Sequence, residues 1–267
     1  MTAGTRAVAD VRGVEMFARY AYAPNRLGYC GPPGSGALAA GAVAGGSTGS
    51  RTAADPVDVR AAARRFSGAW PYLQVLARLT GSDDPLDYQL VESYWLGRDL
   101  GIDTAAFGAE LLAVIGPQAG HYWTHLTPEL LAGATCDHSF HVFGVYPWTR
   151  LLGKGMDAQP LRVLDSCRIR WGTVESRSGD EIEVRSRRLS WDGRELGLAE
   201  ATVERVRVSV DGLSFVPDVA PGDEVALHWD WLTDRLTPEQ ARVLERSTER
   251  ELAATNRRLV DVGGQAP

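Results

Sequence analysis

The sequence predicts an α+β protein, with an all-helical part over residues 1–152 and a small β-barrel with a C-terminal helix over residues 161–267. Three observations carry that reading. Apolar residues recur at helical spacing through most of the first 114 positions. After residue 160 the pattern changes to short alternating segments divided by Gly/Asp turns. Thr237-Pro238-Glu239-Gln240 then joins a capping threonine, a first-turn proline and a glutamine three residues on, which opens a helix.

The first helix is expected over Val8 to Tyr22, with Val11, Val14, Met16, Phe17 and Tyr20 on one face and Pro24 as its stop. Asn25 to Gly34 holds three glycines and two prolines and reads as a loop. Gly34-Ser35-Gly36 is a plain turn, since neither a strand before it nor a lysine after it makes a phosphate loop. Asp55-Pro56 and Asp84-Pro85 are helix starts. They lead into Ala61–Leu79, with Phe66, Trp70 and Leu73, and into a segment with Tyr88, Val91, Tyr94 and Trp95. A further helix is expected from Asp103 to Ile115, ending at Gly116-Pro117.

Gly153 to Pro160 is polar and small-sided and reads as a linker between two domains. Strands follow at Arg168–Glu175, Glu181–Arg187, Glu195–Leu198, Thr202–Val210 and Val225–Trp229. Closing such short strands into a barrel removes their exposed edges.

The net charge of −6 disfavours nucleic acid and anionic membrane surfaces as partners. The barrel arginines are interleaved with acids, so no basic track forms. No apolar run approaches the roughly 20 residues that span a bilayer. Arg6, Asp10, Arg12 and Glu15 stand where a signal peptide needs apolar residues. Three widely spaced cysteines make no disulfide framework. The expected location is the cytoplasm.

Four of the five histidines fall between residues 121 and 141. His121 and His125 share a helix face if that segment is helical. Cys136-x-His138-x-x-His141 offers soft and borderline donors for a transition metal. Cys30, in its Gly/Pro loop, reads either as an inert thiol or as a candidate to join them. The competing reading is a set of polar residues bonded to backbone within a helical core.

Cys167-x4-Gly172-x-Val174 opens the C-terminal module. Gly222-Asp223-x-Val225-x-Leu227-His228 closes its last expected strand, with Trp231 three residues beyond. With Glu239 and Ala241 in the following helix, these residues resemble the HypC/HupF family of NiFe-hydrogenase maturation chaperones, over residues 165–255. The chain as a whole is also similar to actinobacterial hydrogenase-associated proteins. The departures are a mid-chain cysteine without a free amine and Trp171 in place of the family proline.

The resemblance implies an OB-like barrel in which Cys167, as a thiolate, holds an Fe(CN)2CO fragment. His228 would ligate or orient it and lower the thiol pKa. Trp229 and Trp231 would cover the centre or dock a partner. The implied partners are the hydrogenase large-subunit precursor or a HypD-like scaffold. A second reading is a metal-dependent enzyme with its site in the helical part, using Cys30, Cys136, His138 and His141 to make or modify a diatomic iron ligand.

Overall fold

The computed structural model describes residues 11–34, 36–43, 56–119, 126–127, 130–131, 133–210 and 212–263. The early helices are α1 (Arg12–Arg26), α2 (Gly36–Val43), α3 (Pro56–Ala63), α4 (Trp70–Thr80), α5 (Tyr88–Leu96) and α6 (Thr104–Ala119). The expected face of α1 is buried at Val14, Met16, Phe17 and Tyr20, while Val11 is exposed.

Several boundaries move, each for a local reason. Pro24 does not stop α1, which continues to Arg26 with the proline inside it. The segment expected as one helix over Ala61–Leu79 is broken between α3 and α4. The cap of α5 is Asp87, which accepts from Gln89 N at 2.8 Å. Asp84 instead pairs with Arg60 at 2.6 Å. Helix α6 runs through Gly116-Pro117.

His138–Phe140 forms one helical turn, which continues as a π-helical turn over His141–Val145 and a 3-10 turn over Pro147–Leu151. Helix α7 (Ala158–Cys167) takes up the end of the expected linker and runs up to the expected first strand, which begins at Arg170 rather than Arg168. Asp157 ties this segment down by accepting from Gly153 N at 2.7 Å and Trp191 Nε1 at 3.1 Å. Cys167 therefore ends a helix rather than opening a strand.

The strands are β1 (Arg170–Ser178), β2 (Glu181–Ser186), β3 (Leu189–Trp191), β4 (Leu196–Leu198), β5 (Thr202–Arg207), β6 (Ser209–Val210), β7 (Leu213–Ser214), β8 (Glu224–His228) and β9 (Trp231–Arg235). Five of them close a barrel in the order β1-β2-β5-β9-β8. The pairs are antiparallel except β5 with β9, which runs parallel. The closing helix α8 spans Pro238–Gly263. Its expected capping box is formed: Gln240 N donates to Thr237 Oγ1 at 3.2 Å and Thr237 N to Gln240 Oε1 at 2.9 Å.

Val174, Ile182, Val184, Val206, Val225, Leu227 and Leu232 fill the barrel. Strand alternation sends Ala226 the other way, into the apolar core of the helices, together with Trp231. Strand β8 is thus buried on both faces. Tyr22 of α1 meets Trp231 edge to face at 4.9 Å, so helices and barrel share one core.

Beneath that seam lie the fully buried Arg168 and Arg170. Asp165 accepts from Arg168 Nε and Arg188 Nη1, each at 3.1 Å. Glu204 accepts from Arg170, Arg188 and Ser186. Buried charges persist only when paired in this way.

Candidate functional site

A small cavity of about 20 Å3 lies in the seam between the helices and β8. Roughly 10–15 Å3 admits one water, so the cavity has room for one guest of about that size. Cys30, Cys167, His138, His141 and His228 all line it, with Tyr94 and Tyr146. The two cysteine–histidine sets that the sequence places far apart converge on one pocket.

His228 arrives there because strand parity turns it to the same side as Ala226, toward α1. Its anchor is a consequence of Pro24. A proline inside a helix supplies no N–H to the carbonyl four residues earlier, which here is that of Tyr20. His228 Nδ1 donates to that Tyr20 oxygen at 2.7 Å. Burial pushes the His228 pKa down to about 3, with His138 adding to the effect. The ring is therefore neutral and carries one N–H. The Cys167 carbonyl also lies within reach of this imidazole. Since Tyr20 takes the one hydrogen, the second ring nitrogen keeps its lone pair.

His138 is fully committed. Its Nε2 donates to the Cys167 carbonyl at 2.9 Å, and its Nδ1 lies 3.2 Å from the Tyr94 hydroxyl, from which it accepts. Burial lowers its pKa to about 4. His141 is the opposite case. It is 3% exposed, and both ring nitrogens lack any hydrogen-bond partner. It sits on the π-helical turn, an irregularity frequent at functional sites. Tyr146 and Tyr72 bracket the ring at 4.5 and 5.5 Å. A Cβ at residue 68 would lie 2.8 Å from Nε2, so only glycine fits there. Burial pushes its pKa down to about 3.

The thiols are protonated. Burial raises Cys167 to about 12, and the nearby Cys30 adds to it. Cys30 rises to about 11 for the same reason, opposed by a hydrogen bond with the Tyr146 hydroxyl. The expectation that an imidazolium activates Cys167 is thereby corrected: the neighbouring histidines are neutral, so they offer no stabilising positive charge. Asn25 Nδ2 holds the Cys30 loop by donating to the carbonyls of Cys30 at 2.9 Å and Pro32 at 2.7 Å.

Tyr29, which lines the pocket, packs at a tilt against Trp229, ring centroids 4.1 Å apart. Trp229 has φ 57°, a left-handed conformation that costs energy in a bulky residue. Its N–H donates to the Ser166 carbonyl at 2.9 Å, and its carbonyl accepts from Arg170 at 2.6 Å. Trp231 is core, stacked on Phe215 at 6.0 Å.

Cys136 does not reach the pocket. Burial, with Asp137 and Asp99 nearby, raises its thiol to about 12. His121 and His125 lie outside the described residues. Tyr94 and Tyr146 are pocket residues that sequence reasoning missed, as is the Tyr20 carbonyl that anchors His228, for which the mid-helix Pro24 was the available signal. Among the described residues, no group of three or more His, Cys, Asp or Glu side chains is arranged to hold a metal ion.

Fold and site define a mixed helical and barrel protein with an enclosed, uncharged cysteine–histidine pocket between its two parts. Residues 9–262 match the Family of unknown function (DUF6390), and the chain belongs to it. No curated protein and no solved structure matches the chain. Among the described residues, no helix is long and apolar enough to cross a membrane.

Proposed function

We propose that the protein is a cytoplasmic assembly factor for NiFe-hydrogenase, which carries an Fe(CN)2CO fragment as cargo on Cys167 beside His228. The observation that carries this reading is that Cys167, from α7, and His228, from β8, line the same cavity. The parallel closure of β5 on β9 supports reading the barrel as OB-like and HypC-like. A soft thiolate suits low-spin iron with cyanide and carbonyl and can be exchanged for another protein's cysteine. With a thiol pKa near 12, the iron itself has to drive deprotonation.

The closed pocket holds one water-sized guest. A fragment bearing three diatomic ligands therefore enters only with Tyr29 and Trp229 swung aside. That opening also offers two aromatic side chains to a partner, the hydrogenase large-subunit precursor or a HypD-like scaffold. A second reading, a metal-dependent enzyme that makes or modifies a diatomic ligand, is favoured by one observation: His141 is buried with two free nitrogens.

Infrared spectroscopy on protein purified anaerobically from a hydrogenase-making host tests the carrier reading. Cyanide and carbonyl bands are expected in the wild type and absent in Cys167→Ala. Iron-free wild-type protein without bands overturns it.

A further inference from the structure

We propose that the seam pocket binds one neutral diatomic gas molecule, held against apolar walls with a single polar contact at His141. Such binding goes beyond the carrier reading. It uses the same cavity but needs no iron, and Cys167 serves only as part of the wall.

The cavity of about 20 Å3 takes one guest of roughly the size of a water molecule. Its walls are almost wholly apolar: Ala21, Phe66, Ala69 and Trp95 supply carbon, and Cys30 and Cys167 supply two protonated sulfurs. The three histidines that line it are neutral. An ion is unsuited to this lining, because no charge there offsets its desolvation.

Water is poorly served as well, since a buried water is held by about three hydrogen bonds. His138 is committed at both nitrogens, to the Tyr94 hydroxyl and the Cys167 carbonyl. His228 gives its hydrogen to Tyr20, and its ring also lies against the Cys167 carbonyl. The Tyr146 hydroxyl is engaged with Cys30. That leaves His141, 3% exposed, whose two nitrogens have no partner. A neutral imidazole has one N–H to give. A neutral diatomic with one weak acceptor end forgoes nothing there: its apolar surface meets apolar walls, and its end meets that N–H.

The backbone around His141 keeps this arrangement in place. The residue stands on the π-helical turn, an irregularity frequent at functional sites. Gly68 preserves room for the ring, since a Cβ there would lie 2.8 Å from Nε2. Tyr29 both lines the cavity and is exposed, so the loop that carries Tyr29 and Cys30 is the wall a guest crosses. Two heavy atoms limit the affinity, and a dissociation constant of a few millimolar is expected.

The test is a titration of the full chain, stripped of iron by a chelator, with carbon monoxide. Infrared spectroscopy reads the bound gas, and xenon NMR follows a parallel titration with xenon. A narrow C–O stretching band, displaced from that of the dissolved gas, should grow to saturation, and xenon should compete with it. Ala21→Val, which fills the cavity, should abolish both. His141→Leu keeps apolar walls but removes the N–H: xenon should still bind, while the carbon monoxide band shifts and its affinity falls about threefold. Cys136→Ser, outside the pocket, should behave as the wild type does. Circular dichroism verifies the fold of each variant.

Uptake that rises linearly with gas pressure and never saturates overturns the site. So does a band that persists in folded Ala21→Val, or a His141→Leu protein that matches the wild type in band position and affinity. Gas binding without iron-fragment bands in the host-purified protein sinks the carrier reading alone. Iron-fragment bands without gas binding sink this proposal alone.

Discussion

The Nδ1 hydrogen of His228 is donated to the carbonyl oxygen of Tyr20 at 2.7 Å, across 208 positions of sequence. The bond exists because Pro24 leaves that oxygen without an intrahelical donor. His228→Phe should therefore cost about 1–3 kcal/mol beyond its packing change, the price of a buried unpaired carbonyl. In a Pro24→Ala background the new N–H can take the Tyr20 oxygen, and the cost should shrink by about 1 kcal/mol. A double-mutant cycle of urea unfolding measures this coupling. Strict additivity would show that the proline and the histidine are independent.

Acid should unfold the metal-free protein early. His138, His141 and His228 have folded pKa values pushed down to about 4, 3 and 3 from 6.5. A depressed histidine stabilises the fold above its unfolded pKa, and that stability is lost as pH falls toward the folded value. At about 1.4 kcal/mol per pH unit each, the three lose about 6 kcal/mol by pH ~5. Glu251 works the other way. Burial raises it from 4.5 to about 7, so its contribution is full below 4.5 and lost as pH rises through 7. Acidification thus regains about 3 kcal/mol there. The histidines outweigh it, and circular dichroism should show unfolding between about pH 5 and 4, within the 5–15 kcal/mol of an ordinary domain. In Glu251→Gln the decline should begin at higher pH.

Gly31→Ala should open the pocket. The residue has φ +82°, and an added Cβ would lie 2.4 Å from the Phe66 ring. The strain, about 1–3 kcal/mol, falls on the loop that carries Cys30. Alkylation of Cys30 by iodoacetamide should therefore speed up, while the rate at Cys167 changes less. Equal rates in mutant and wild type would count against the loop as the closing wall.

The buried ion network should be unforgiving. Glu204→Gln removes the charge that accepts from Arg170 and Arg188. Breaking one partner of a buried pair costs about 3–5 kcal/mol, because the remaining charge stays desolvated. A thermal shift of a degree or less would show that Arg170 finds water instead.

Much of the architecture could be read from residue order. The α1 face, the change from helical to strand texture and the Thr237/Gln240 box are local patterns, set by periodicities of 3.6 and 2 and by backbone hydrogens that need caps. Helix ends were harder to read. Pro24 and Pro117 look like stops to a local rule, yet both helices run on; at Pro24 a tertiary partner, His228, takes the Tyr20 oxygen that the proline leaves free.

What residue order alone settled about this chain is therefore most of its helices and strands, though not α7, β3 or β9, and the short roll of thiols and imidazoles worth watching. Folding alone settled which of these share a pocket. Cys30 comes from the loop after α1, His138 and His141 from adjoining helical turns, Cys167 from the end of α7 and His228 from β8. They meet only because the second face of β8 packs on α1, and no spacing within the sequence encodes that contact. Their protonation was decided there too, because desolvation in the seam holds the thiols and imidazoles neutral, against what an isolated cysteine–histidine pair would suggest.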